Sequence, residues 1–118
     1  MSKFFIEQDT VRVTFPDGEW CDIKAEFTQE DLDYITNQMM KTSLSANGRE
    51  TPQTEVAMSF GKEATLEKAI VAWSFTDDQG KGVPVTPLNI TNLRSKYRWM
   101  VLKEIDRVNK EAEAFSKN

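Results

Sequence analysis

A Pro-Asp-Gly turn set between two alternating runs is the feature that most restricts how this chain folds. In residues 10–15, TVRVTF, the apolar Val11, Val13 and Phe15 share one parity and polar residues take the other. That period of two belongs to a strand with one buried face. Pro16 presets φ for a tight turn, Asp17 can bond to the backbone just beyond it, and Gly18 tolerates positive φ. Beyond the turn, Cys21, Ile23 and Ala25 alternate with Trp20, Asp22 and Lys24. The pattern predicts a β-hairpin over about residues 10–25.

The period then changes. Thr28 has the side chain of an N-cap, and Asp31 three residues on completes a variant capping box. Phe27 and Leu32 stand where a hydrophobic staple would form, and Glu30 and Asp31 suit the positive end of a helix. Leu32, Ile35 and Met39 follow at helical spacing, which predicts a helix over about 28–41. Residues 42–55, TSLSANGRETPQTE, are rich in Ser, Thr, Asn, Gly and Pro and read as a flexible loop. Leu66, Ala69, Ile70 and Trp73 then give the i, i+3, i+4, i+7 stripe of a second helix over about 62–73. The stretch Ala72–Phe75 also suits a short strand.

A turn-rich segment, 76–85, contains Asp77-Asp78-Gln79-Gly80-Lys81-Gly82 and implies a small hairpin or an irregular loop. Thr86 is the next N-cap, with Pro87 at the first helical position, where a missing N–H costs nothing. Apolar residues recur at Ile90, Leu93, Tyr97, Val101, Ile105, Val108, Ala112 and Phe115. They predict a helical region over about 87–115, either one long helix or a short and a long one broken near Ser95. The expected architecture is a single α+β domain: an N-terminal hairpin packed with three to four helices, the C-terminal one long.

Composition limits the function. The 118 residues suit one domain, and three Trp, seven Phe and two Tyr supply enough apolar area for a core. The formal charge is −4, and Arg94, Lys96 and Arg98 on a predicted helix read as a solvated face, so nucleic acid is not an expected partner. With one cysteine, Cys21, no internal disulfide forms, which fits a reducing compartment. The opening MSKFFIEQD is too short in apolar residues for a signal peptide core, and no segment has transmembrane length. A soluble protein that stays where it is made is expected.

The chemistry of catalysis is thin. The chain has no histidine, the commonest general base and metal ligand near neutral pH. Cys21, on a predicted strand, reads as a small buried thiol. Counting from Asp77, the alternate positions hold Gln79, Lys81 and Val83, which fails the calcium-loop pattern. Gly80-Lys81-Gly82 lacks the strand and helix that flank a phosphate-binding loop. A non-enzymatic protein without cofactor or metal is expected, acting by binding another protein. The residues best suited to an adaptable surface are Met39, Met40, Leu44 and Met58, on or beside the loop, together with Trp99, which lies off the main apolar stripe of the last helix.

Three blocks resemble a family of small proteins encoded among the tail genes of long-tailed bacteriophages. They are Pro16-Asp17-Gly18-Glu19-Trp20, the helix start Phe27-Thr28-Gln29-Glu30-Asp31, and the run from Val71 to Thr86 followed by Asn89, Ile90 and Leu93. The most specific spacing is Trp73-Ser74, Thr76-Asp77, Gly80, Pro84 and Thr86. The resemblance implies a tail assembly chaperone, which coats the helical tape-measure protein until tail-tube subunits polymerise around it, in the cytoplasm of the host bacterium. It also implies a longer product made by ribosomal frameshifting. The alternatives are a structural virion component, such as a head–tail connector or tail completion protein, and an acidic phage inhibitor of a host defence protein.

Overall fold

The computed structural model describes the backbone of residues 9–45 and 52–117, with side-chain surroundings for 9–40 and 61–108. Strands β1 (Thr10–Thr14) and β2 (Trp20–Lys24) form the expected hairpin. Phe15 N–H donates to the Glu19 carbonyl at 2.8 Å, Gly18 N–H to the Phe15 carbonyl at 2.9 Å, and Gly18 takes φ +89°. Asp17 Oδ1 accepts the Glu19 N–H at 3.0 Å, as its place in the turn requires.

Helix α1 (Gln29–Ser45) starts at the expected cap. Thr28 Oγ1 accepts from Asp31 N–H and an Asp31 carboxylate oxygen accepts from Thr28 N–H, both at 3.1 Å, a reciprocal capping box. Helix α2 (Pro52–Ala69) then leads without a connecting residue into strand β3 (Ile70–Trp73). β3 pairs antiparallel with β2, with an irregularity between Asp22 and Ile23, making a three-stranded sheet of order β1-β2-β3. A turn at Asp77–Gly80, closed by the bridge Thr76–Gly82, precedes α3 (Pro87–Thr91) and α4 (Ser95–Lys117). Thr86 Oγ1 caps α3 by accepting from Asn89 N–H at 3.2 Å. The fold is α+β.

Two expectations require correction. The flexible loop over 42–55 shrinks from both ends: α1 continues through Ser45, and α2 begins at Pro52. Its middle, 46–51, lies outside the described residues. Pro52 opens a helix here, as its fixed φ allows in a first turn. The helix over 62–73 starts earlier and stops at Ala69, and Ile70–Trp73 is strand. Leu66, Ala69 and Ile70 are all buried, so the apolar spacing crosses the helix–strand boundary unbroken. Pairing with β2, some fifty residues earlier, decides the conformation, a tertiary effect that local spacing cannot show.

The core lies between the sheet and helices α2, α3 and α4. Val13, Cys21, Ile23 and Ile70 come from the sheet, Leu66 and Ala69 from α2, Ile90 from α3, and Val101 and Ile105 from α4. Phe15 anchors an aromatic group, stacked on Phe75 at 5.8 Å between centroids and edge-on to Tyr97 at 4.8 Å. Burial pushes the Cys21 thiol up to about 12, so it is an inert core residue. Arg98, expected on a solvated face, turns inward: it pairs with Glu63 of α2 and donates to the Ile90 carbonyl at 2.8 Å, joining three helices.

Candidate binding surfaces

The predicted surface residues fall on three elements of the fold. Met39, Met40 and Leu44 belong to α1 and Met58 to α2, while Trp99 is on α4. The side chains of Leu44 and Met58 lie outside the described residues. Met39 leans on Gly61 of α2, where a Cβ would come within 2.9 Å of the Met39 Cγ and Sδ atoms. The bare glycine thus allows α1 to settle against α2. On α1, Leu32, Met39 and Met40 are 44%, 36% and 56% exposed. Leu32 and Met39 are seven residues apart and share a helix face.

Polar contacts fasten the base of α1. The Lys24 ammonium reaches both oxygens of Asp31, at 2.9 and 3.0 Å, and Asp31 is 5% exposed. Burial works to raise the Asp31 pKa, but the Lys24 and Thr28 hydrogen bonds outweigh it and hold the carboxyl below its usual range. Farther along, Tyr34 donates to Glu67 at 2.7 Å and the Lys68 ammonium lies 4.4 Å from the Tyr34 ring. These links orient α1 while leaving an apolar strip partly exposed among the described residues.

The second surface is a groove of about 560 Å³ between α4 and β1, bordered by Arg12, Thr14, Trp99, Met100 and Lys103. Trp99 is 63% exposed, and the Lys103 ammonium lies 4.9 Å from its ring. Arg12 is held on the sheet's outer face by Asp22, at 2.8 and 3.1 Å, and stacks 3.8 Å from the Trp20 ring.

A third surface, a hollow of about 450 Å³, was not foreseen from the sequence. Trp73, Phe75 and Tyr97 line it together with Asp17, Glu19 and Arg94. It forms where two of the blocks singled out above meet. Ser74 N–H donates to the Trp20 carbonyl, Trp20 N–H to Ser74 Oγ, and Ser74 Oγ to Glu19. The Trp73 indole N–H donates to the Val83 carbonyl at 2.6 Å, and the Tyr97 hydroxyl donates to Asp17. That Tyr97 bond is the largest cause holding the Asp17 carboxyl low and the Tyr97 phenol high. The signal in the sequence was a Trp and a Phe beside each turn, Phe15 and Trp20 about Asp17-Gly18 and Trp73 and Phe75 before Asp77–Gly80. Their meeting depends on the β2–β3 pairing. Each carboxylate is engaged by a protein donor, which makes the hollow a clasp between the two turns. Among the described residues no group of three or more Cys, Asp or Glu side chains is placed to hold a metal ion.

No family model, characterised protein or solved structure matches this chain.

Proposed function

We propose that this protein is a non-enzymatic tail assembly chaperone of a long-tailed phage, binding the tape-measure protein in the host cytoplasm during tail morphogenesis. The observation that supports it is the partly exposed apolar strip Leu32, Met39 and Met40 on α1. An amphipathic helix recognises a partner helix through apolar residues at such spacing, and a tape-measure protein is long and helical. Methionine adapts to irregular partner surfaces, which suits a chaperone that must cover many successive turns of one helix. The net charge of −4 keeps such a surface soluble.

The test is an affinity capture of the tagged full chain from infected cells during assembly, read by mass spectrometry alongside purified virions. Recovery of the tape-measure protein, lost with Met40→Lys and with Leu32→Lys, and near-absence from finished particles would support the reading. Stoichiometric presence in the virion would replace it with a structural component. Capture of host defence proteins in place of tail proteins would make it an inhibitor.

A further inference from the structure

We infer that the outer edge of β1 is a self-association surface, and that two copies of this chain pair antiparallel through it about a two-fold axis at Arg12. This inference stands apart from the chaperone reading and rests on different residues.

The first observation is the ladder. Phe15 N–H donates to Glu19, and Ala25 N–H to the Asp9 carbonyl at 3.0 Å. Hydrogen-bonded pairs alternate along an antiparallel ladder, so residues 9, 11, 13 and 15 point their backbone groups at β2. Thr10, Arg12 and Thr14 therefore point theirs outward. With strand order β1-β2-β3, no described strand receives them. An open edge of this kind is a template for another strand.

The second observation selects the occupant. Thr10-Val11-Arg12-Val13-Thr14 reads the same in both directions. A two-fold axis at Arg12 places Thr10 opposite Thr14 of the second copy and Val11 opposite its Val13. Threonine pairs and β-branched pairs are favourable cross-strand neighbours. The register also matches outward-pointing residues with outward-pointing residues, as a ladder requires. Arg12 would face its own image, but Asp22 neutralises each guanidinium and draws it back over Trp20.

The third observation is what lies beside the edge. Val11 and Val13 point to the α4 side of the sheet, where Trp99 stands 63% exposed in the groove along β1. A second β1 laid on the edge continues the same face and sets its part-exposed Val11 opposite the buried Val13, beside Trp99, and symmetry does the same for the other Trp99. Aromatic anchors of this kind dominate interface energetics. Lys103, Glu104, Asp106 and Arg107 line the same groove with two charges of each sign, so two copies meet there without net repulsion. A foreign extended segment would use the edge but would not explain the palindrome.

The test uses single cysteines in the full chain, with the buried Cys21 of the unmodified protein as control. In the inferred register the two Arg12 Cα atoms lie about 5.5 Å apart, within disulfide reach. The two Thr10 Cα atoms are separated by about 14 Å. Mild oxidation should therefore link Arg12→Cys into a covalent dimer, leave Thr10→Cys monomeric, and link the double variant Thr10→Cys with Thr14→Cys. Sedimentation of the unmodified chain over a concentration series should show a monomer–dimer equilibrium, with Trp99→Asp raising its Kd about tenfold or more. A monomer throughout, with no Arg12→Cys link, overturns the inference. So does equal linking of Arg12→Cys and Thr10→Cys, or a dimer indifferent to Trp99→Asp.

Discussion

The sheet body and helix α1 are held by opposite means. The body contributes every apolar residue of the main core, from β1, β2, β3, α2, α3 and α4. Helix α1 contributes none among the described residues, and its one buried side chain there is the charged Asp31. It is fastened by a cap, an ion pair and the Tyr34–Glu67 bond. Apolar burial does not titrate, whereas these links depend on ionisation. The contrast separates a part built to persist from a part built to present a surface. The Cα radius of gyration, 15.8 Å, exceeds the value of about 13.5 Å for a compact chain of this length, consistent with helices that reach past the core.

The comparison can be broken most forcefully in the body. Leu66→Ala removes a fully buried side chain beneath the sheet and should cost about 3 kcal/mol, measured by chemical unfolding. A loss below about 1 kcal/mol would mean that the body is not close-packed. Trp73→Ala should cost somewhat less, about 2 kcal/mol, because the ring is half-buried but its N–H closes the 76–83 turn. Arg98→Leu frees Glu63 and the end of α3 together. A loss of about 2 kcal/mol is expected, since both partners are largely sheltered. Exchange of α3 amides would rise with it.

Asp31→Asn probes the other side. It should cost about 1 kcal/mol globally while speeding amide exchange in α1 far more than in β2. The pH dependence follows from the same residue. Its folded pKa lies below the unfolded value, so its contribution is complete above the ordinary carboxylate range. It is lost as pH falls through the folded value. Acid below the ordinary carboxylate range should loosen α1 before the sheet melts, and Asp31→Asn should abolish that early step. Simultaneous loss of α1 and the sheet would erase the distinction. The smallest effect belongs to Met40→Lys, which should leave stability within about 0.5 kcal/mol and appear only in partner capture.

The legible parts of the fold share a cause: local chemistry sufficed. Pro16-Asp17-Gly18, the Thr28–Asp31 box and Thr86-Pro87 each act through neighbours within a few residues, and each sits where the sequence placed it. The break between α3 and α4, one of two readings left open, needed the structure to choose. The errors arose where distant contacts govern. The stretch 42–55 was judged on composition, but Met39 packing on Gly61 gives α1 and α2 a shared surface that rewards continuing both helices. Ile70 and Trp73 fit a helical stripe until β2 offered a ladder. Of the candidate surface, Met40 and Trp99 are both exposed, although the position of Trp99 off the apolar stripe was equally compatible with a wider buried face. The open edge beside Trp99 was not within reach of the sequence, because it depends on β3 joining β2 on the far side.

The direct junction of Ala69 with Ile70 has a mechanical meaning. Both residues are buried, and no linker separates the end of α2 from the start of β3. A loop would absorb torque as backbone rotation, but this joint has no slack in which to do so. The orientation of α2 is thereby tied to that of β3, and both are fixed by the core they share.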